Sequence, residues 1–210
     1  MRWLGIGFVF AFSCTAAEPR LDTLLKAVET RYNRAQSLTL TFEETYTAQR
    51  RPQQVESGTL TLRKPGKMRW DYAKPAGKIF VSDGKRVSLY NPETNQVEVT
   101  GVKETEDMRA PLAFLLGKLN FYKEFRKFTL REDPEGIWIS AEPENETLPY
   151  SRVEFLVAPD ARIKRLKVFA QDRSVLDFRF DHEKLNIPVD QRIFDYRVPI
   201  TAQVLTEGEK

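Results

Sequence analysis

Apolar and polar side chains alternate along much of the sequence with a period of two residues. Leu60 and Leu62 alternate with threonine and arginine, and Met68 and Trp70 alternate with charged residues after a short interruption. Because successive side chains of a strand point to opposite faces of a sheet, this period predicts strands with one apolar face. That face has to be covered by something.

The loop between these two strands decides their register. A three-residue loop at 64–66 pairs Leu62 with Met68 and Leu60 with Trp70, which places all four side chains on one face. A two-residue loop would shift the pairing by one residue and divide the apolar set between the two faces. We therefore predict the odd loop.

A second hairpin is predicted at Asp83 and Gly84, a dipeptide that favours a two-residue turn. This turn pairs Phe80 with Val87 and places Leu89 on the same face. The other face of the hairpin is also apolar, so we expect it to be covered on both sides. The predicted apolar face comprises Leu60, Leu62, Met68, Trp70, Phe80, Val87 and Leu89.

Two helices accompany the strands. A helical period places one set of apolar residues on a single face near the start of the chain: Leu21, Leu24, Leu25, Val28, Tyr32 and Ala35. A short helix closed by Gly117 is predicted from a segment that is apolar on nearly every side: Pro111, Leu112, Phe114, Leu115 and Leu116. Alternating segments resume beyond it. The sequence therefore predicts an α+β fold in one domain, residues 18–210, with a frayed tail from about 206.

The first 17 residues are typical of a cleaved signal peptide. Arg2 precedes an apolar run that is too short to span a bilayer, and the small residues Thr15 and Ala17 predict cleavage after Ala17. Cys14 offers an alternative as a lipid-attachment site, but the bulky Phe12 disfavours it. Without residues 1–17 the chain has no cysteine and no disulfide, and we expect it to be exported to the periplasm of a bacterium.

Charge and composition argue against several classes of function. Removing residues 1–17 removes one of the 33 basic residues and none of the 30 acidic ones, so the net charge falls from +3 to +2. This balance does not indicate a nucleic-acid-binding protein. His182 is the single histidine, and no arrangement of residues suggests a zinc site or a catalytic triad. We predict no enzyme, metal or cofactor; the apolar face either packs on helices or keeps a cavity for an apolar ligand.

A family resemblance favours the cavity. The segments GTLTLRKPGKMRWDYAKP and IFVSDGKRVSLYNPETNQVEV, between residues 58 and 99, resemble the outer-membrane lipoprotein carrier family, LolA. The matching positions are Gly58, Pro65, Trp70, Pro75, Val81 to Lys85 and Tyr90 to Pro92. The segments APLAFLLG and LNIPVDQRIFDYRVP are similar to the family's later helix and closing segment. The resemblance implies a strongly curved antiparallel sheet that forms an incomplete, half-open β-barrel covered by a few helices.

The resemblance also implies a function. A periplasmic chaperone of this family receives the acyl chains of lipoproteins released by an inner-membrane ABC transporter and delivers them to a receptor lipoprotein in the outer membrane. The apolar face would then be the acyl-chain cavity, and residues 111–116 the lid helix. Lys64 would be the lid latch, at a position where the family usually has an arginine. Two alternatives remain: the receptor lipoprotein, anchored through Cys14, and a periplasmic module that senses lipids or lipoproteins. We expect a monomer.

Overall fold

The computed structural model describes residues 17–49, 53–101 and 118–206. Two helices, α1 and α2, and a short 3₁₀ helix lie in this part of the chain: Ala17–Arg34, Phe121–Glu124 and Gln191–Phe194. The twelve strands β1 to β12 are Ser37–Thr47, Gln54–Arg63, Lys67–Lys74, Ile79–Ser82, Arg86–Asn91, Gln96–Gly101, Phe125–Asp133, Gly136–Pro143, Tyr150–Val157, Ile163–Ala170, Val175–Leu185 and Gln203–Thr206. The predicted lid helix and most of the predicted signal peptide lie outside the described residues.

All twelve strands belong to one curved sheet in the order β12-β6-β5-β4-β3-β2-β1-β11-β10-β9-β8-β7. β12 and β7 form its two edges, so the sheet does not close on itself. This confirms the predicted α+β fold with a half-open barrel. The last strand differs from the rest because β12 runs parallel to β6. Its start is fixed there by hydrogen bonds from Gln203 N to Asn95 O at 3.0 Å and from Asn95 Nδ2 to Thr201 O at 2.7 Å.

The register of the first predicted hairpin is confirmed. Leu62 lies opposite Met68 and Leu60 opposite Trp70. All four side chains are buried on the same face of the sheet, with exposed fractions between 0% and 6%. The odd loop thus keeps the apolar face continuous between β2 and β3.

The predicted pairing of the second hairpin is wrong by two residues. Phe80 lies opposite Leu89 rather than Val87, and Val87 lies opposite Ser82. The turn is centred one residue later than predicted, because the Asp83 carboxylate accepts hydrogen bonds from the backbone N–H groups of Lys85 and Arg86, both at 2.7 Å. Since a shift of two residues keeps every side chain on its face, Phe80, Val87 and Leu89 still point to the same side.

The core lies between the concave face of the sheet and α1. The apolar face predicted for α1 is confirmed, because Leu25, Val28 and Tyr32 are at most 2% exposed and pack in the same cluster as the sheet residues. Gly58 brings β2 unusually close to β3. A Cβ atom at this position would meet the carbonyl oxygen of Asp71 at 2.1 Å, so only glycine fits here.

Candidate functional site

The concave face is the candidate site, and α1 covers it. The seven residues predicted for this face all belong to the hydrophobic core or pack against it. Six of them are at most 6% exposed, and Leu89 is partly buried. They are therefore brought together as the alternation predicts, and Leu25, Val28 and Tyr32 of α1 pack in the same cluster.

Four aromatic rings around Trp70 were not predicted as part of the site: Phe42, Tyr72, Phe178 and Phe180. The Phe42 ring meets the Trp70 ring edge-on at 4.6 Å between centroids, and it meets Tyr72 in the same way at 5.2 Å. Phe178 lies 5.7 Å from Trp70 and stacks on Phe180 at 5.9 Å. The same alternation in β1 and β11 signals these positions, but sequence spacing does not reveal that β1 and β11 are neighbours in the sheet. Such ring pairs contribute about 0.5–1.5 kcal/mol each beyond their buried area.

The indole of Trp70 places a polar atom on this face. Trp70 is fully buried, and its indole Nε1 donates no hydrogen bond within the described part of the chain. A buried donor without an acceptor costs about 1–3 kcal/mol. The covered form of the site therefore contains a donor that an acceptor-bearing ligand would satisfy.

A buried polar cluster fastens the last turn of α1 to the sheet. The Tyr32 hydroxyl donates to Glu183 Oε2 at 2.7 Å and accepts a hydrogen bond from Ile163 N at 3.0 Å. Arg31 donates from Nε to Glu183 Oε1 at 3.0 Å and forms a second, shorter bond through its terminal nitrogen. Burial, followed by the nearby Glu183 carboxylate, raises the pKa of Tyr32 well above its usual value. The neutral phenol therefore joins α1, β10 and β11.

Lys64 caps the C-terminus of α1. Its Nζ donates to the carbonyl oxygens of Asn33 at 2.6 Å and Tyr32 at 3.2 Å, and its backbone N–H donates to Gln36 O at 2.9 Å. A cation at this end of a helix also interacts favourably with the helix dipole. Partial burial lowers the pKa of the Lys64 amine. The lysine predicted as a latch thus contacts α1, while any bond to residues 111–116 remains a prediction, because those residues lie outside the described ones.

The same turn of α1 holds the chain that follows residue 117. Asn33 exchanges two hydrogen bonds with the backbone of Leu119, at 2.6 and 2.8 Å. Glu29 Oε1 accepts a hydrogen bond from Phe121 N at 2.8 Å, which fixes the first residue of α2. Lys64 therefore binds the carbonyl of Asn33, whose side chain binds the backbone of Leu119, three residues after the predicted lid.

Two arginines near Lys64 serve the opposite face of the sheet. Arg63 donates to Val189 O at 2.9 Å and Arg69 to Ile193 O at 2.8 Å. These bonds fasten the segment that leads to the 3₁₀ helix against the convex side. Val81 and Phe194, both at most 2% exposed, line one small cleft there, so the second hairpin is covered on both sides as predicted.

Comparison with known proteins identifies the family. A family model described as outer membrane lipoprotein carrier protein LolA matches residues 33–197, which is most of the chain. The chain belongs to the LolA family. An outer-membrane lipoprotein carrier protein of Bordetella pertussis is 31% identical to this LolA chain over 186 residues, which cover 83% of the chain and 84% of the relative. A carrier protein of Bordetella avium is 33% identical over 136 residues, covering 63% of the chain and 64% of the relative.

Two solved structures share the fold of this chain. An uncharacterized conserved protein from Thermus thermophilus superposes with a TM-score of 0.55 at 16% identity, covering 90% of this chain and 99% of that one. The Mycobacterium tuberculosis lipoprotein LppX superposes with a TM-score of 0.51 at 11% identity, covering 83% of this chain and 99% of that one. These likenesses concern the fold.

The described part of this LolA chain holds no candidate metal site. No group of three or more histidine, cysteine, aspartate or glutamate residues is placed there to bind a metal ion. His182 lies at an irregularity of β11, where its Nδ1 is 3.1 Å from the Thr41 hydroxyl on the exposed side. Within residues 17–49, 53–101 and 118–206, no helix is both long and apolar enough to cross a membrane.

Proposed function

We propose that this protein is a periplasmic carrier that binds the acyl chains of lipoproteins on the concave face of its sheet. It receives them from an inner-membrane ABC transporter and delivers them to an outer-membrane receptor lipoprotein. Membership of the LolA family supports this proposal, together with the names of its relatives. The observation that carries it is a large apolar face, built on an unclosed sheet, whose cover is a separate helix.

The physical need for such a cover follows from the cargo. Each buried methylene of an acyl chain contributes about 0.8 kcal/mol, so a lipoprotein with several chains scarcely leaves a membrane on its own. A carrier has to offer a comparable apolar surface, yet it must not expose that surface to water when empty. In the proposed cycle α1 shields the face in the empty state and yields it to acyl chains in the loaded state.

Release requires that the cover competes with the cargo. The contacts of Lys64, Asn33 and Glu183 favour the position of α1 seen here. When these contacts form again, they offset part of the free energy of burial that is lost when the acyl chains depart. The predicted lid helix, residues 111–116, would take part in the same competition. No catalytic step is proposed, since transfer needs only a sequence of binding equilibria.

Site-specific photo-crosslinking tests the binding face. A photoreactive amino acid at Leu60 or Trp70 should capture acylated lipoprotein, because both side chains lie on the concave face. Thr61 is the matched control: it is 9% exposed, lies on the same strand and points to the other face. Equal capture from Leu60 and Thr61 would contradict the proposed site, and capture from neither would contradict the proposed function.

Cys14 supports a second candidate, the receptor lipoprotein of the same pathway. The cysteine follows an apolar run, as lipid-attachment cysteines do, although Phe12 is unfavourable at its position. We propose instead that a signal peptide is removed after Ala17 and that the carrier begins at Glu18. Mass spectrometry of protein purified from its native envelope distinguishes the two. Acyl label on Cys14 that is lost in Cys14→Ala would favour the receptor.

A further inference from the structure

The buried indole of Trp70 differs from the other described tryptophan in one respect. Trp138 lies on the opposite face of the sheet and donates from Nε1 to Asp133 Oδ2 at 3.1 Å. Trp70 is buried as well, but its Nε1 has no acceptor within the described part of the chain. Buried tryptophan N–H groups usually find a partner, so this donor indicates an acceptor that the described residues do not supply.

The surroundings of Trp70 restrict what that acceptor can be. Leu60 and Phe80 flank it on the neighbouring strands, and the rings of Phe42 and Phe178 lie 4.6 and 5.7 Å away. These four neighbours offer no side-chain acceptor; the hydroxyl-bearing ring of Tyr72 stacks on Trp70 at 6.4 Å between centroids. A ligand suited to these surroundings is apolar along most of its length and has a carbonyl oxygen, which needs no buried charge. A fatty acyl ester has both properties.

We propose that Trp70 Nε1 donates a hydrogen bond to the carbonyl oxygen of an acyl ester when the concave face is loaded. The inference rests on the proposed function and adds a specificity to it. The concave face then recognises the ester carbonyl of an acyl chain in addition to its apolar hydrocarbon part. Because the rings around Trp70 fix its plane, the donor is positioned before the ligand arrives, and less rotational freedom is lost on binding.

A pair of lysophospholipids tests this specificity. One has an ester-linked acyl chain and the other an ether-linked alkyl chain of equal length, so they differ only in the carbonyl group. Their affinities are measured below the critical micelle concentrations, by displacement of a fluorescent apolar dye from the full chain. We expect the parent protein to prefer the ester by roughly tenfold, which corresponds to about 1.4 kcal/mol for one satisfied donor.

Trp70→Phe keeps an aromatic ring but removes the donor, so it should bind both lipids about equally. Trp138→Phe is the matched control and should retain the preference, because that indole already has an acceptor. The readout is a ratio of affinities within each variant, so a general loss of stability does not imitate the effect.

The indole N–H resonance of Trp70 in the parent protein provides a measurement that needs no folded variant; Trp70→Phe serves only to confirm its assignment. It should move downfield when the ester lipid binds and stay near its original position with the ether lipid, while the Trp138 resonance changes little. Equal binding of the two lipids by the parent, or a preference that persists in Trp70→Phe, would overturn the inference and leave the carrier function intact. Binding of neither lipid would overturn both.

Discussion

The bond between Lys64 and the end of α1 offers a direct test of how the site is covered. Lys64→Met removes the ammonium group but keeps a flexible side chain of similar length. The Tyr32 and Asn33 carbonyls then lose a donor at 3.2 and 2.6 Å. If α1 is the cover of the concave face, its last turns should detach more often in this variant.

The size of the effect follows from the geometry. A hydrogen bond with a charged partner is worth about 1.5–3 kcal/mol, and a cation at a helix C-terminus adds about 0.3–1 kcal/mol at low ionic strength. Lys64 is partly exposed, so water replaces some of this interaction when the helix moves away. We therefore expect a net loss of about 2 kcal/mol, which is roughly a 30-fold increase in the equilibrium constant for detachment.

Hydrogen–deuterium exchange of the α1 amides measures this equilibrium directly. A two-step transfer assay then scores loaded carrier and delivered lipoprotein separately. We expect faster exchange in the last turns of α1, loading close to that of the parent and reduced delivery, because re-covering the face no longer helps to expel the chains. Lys85→Met is the matched control, since Lys85 is exposed at a hairpin turn and the change in charge is the same.

Two results would refute this reasoning. Exchange of the α1 amides at the rate seen in Lys85→Met would show that the lysine contributes little to the position of the helix. Faster exchange with unchanged delivery would show that α1 is not the element that competes with the cargo. Lys64→Arg should restore slow exchange, because a guanidinium group can donate to the same two carbonyls.

Three further predictions concern the elements that support the site. Gly58→Ala should lower the free energy of unfolding by about 3 kcal/mol, because its Cβ would lie 2.1 Å from the Asp71 carbonyl oxygen; a shift in Tm below about 3 °C would contradict this. The raised pKa of Tyr32 means that above pH ~10 the unfolded chain loses this proton while the folded chain retains it, so stability should fall by up to about 1.4 kcal/mol per pH unit. Urea denaturation of Tyr32→Phe should show a shallower loss between about pH 10 and 12, and an equal slope would contradict the assignment. Glu183→Gln should weaken the attachment of Arg31 by about 1–3 kcal/mol, measured as faster amide exchange in the last turn of α1, where Arg31 lies.

Much of the fold was predictable because it depends on local patterns. The period-two alternation identified the apolar face, and an odd loop between β2 and β3 fixed their register through the requirement that Leu60 and Trp70 share a side. The hairpin at Asp83 shows the limit of such reasoning. The hydrogen bonds accepted by the Asp83 carboxylate place the turn one residue later than predicted, which shifts the strand pairing by two residues. Because this shift is even, the apolar side chains stay on the predicted face.

The rest depends on contacts between distant parts of the chain. β1 pairs with β11, which follows it by more than 100 residues, and that pairing creates the ring cluster of Phe42, Trp70 and Phe178. Lys64 was expected to contact the predicted lid, whereas its described bonds go to α1, because the strand end lies beside the helix C-terminus. Neither relation leaves a periodic signal in the sequence.

The strand order has a mechanical consequence. β6 lies beside one edge of the sheet and β7 forms the other, yet they follow one another among the described strands. The 19 residues from 102 to 120 therefore join the two sides, and fully extended they could reach only about 65 Å. β6 and β7 are therefore connected in two ways: by hydrogen bonds through the nine strands between them, and by the covalent backbone of residues 102–120. The sheet thus has two edges that are not hydrogen-bonded to each other, but its two sides are joined covalently by residues 102–120. The length of this segment limits how far β6 and β7 can move apart during the proposed binding of cargo.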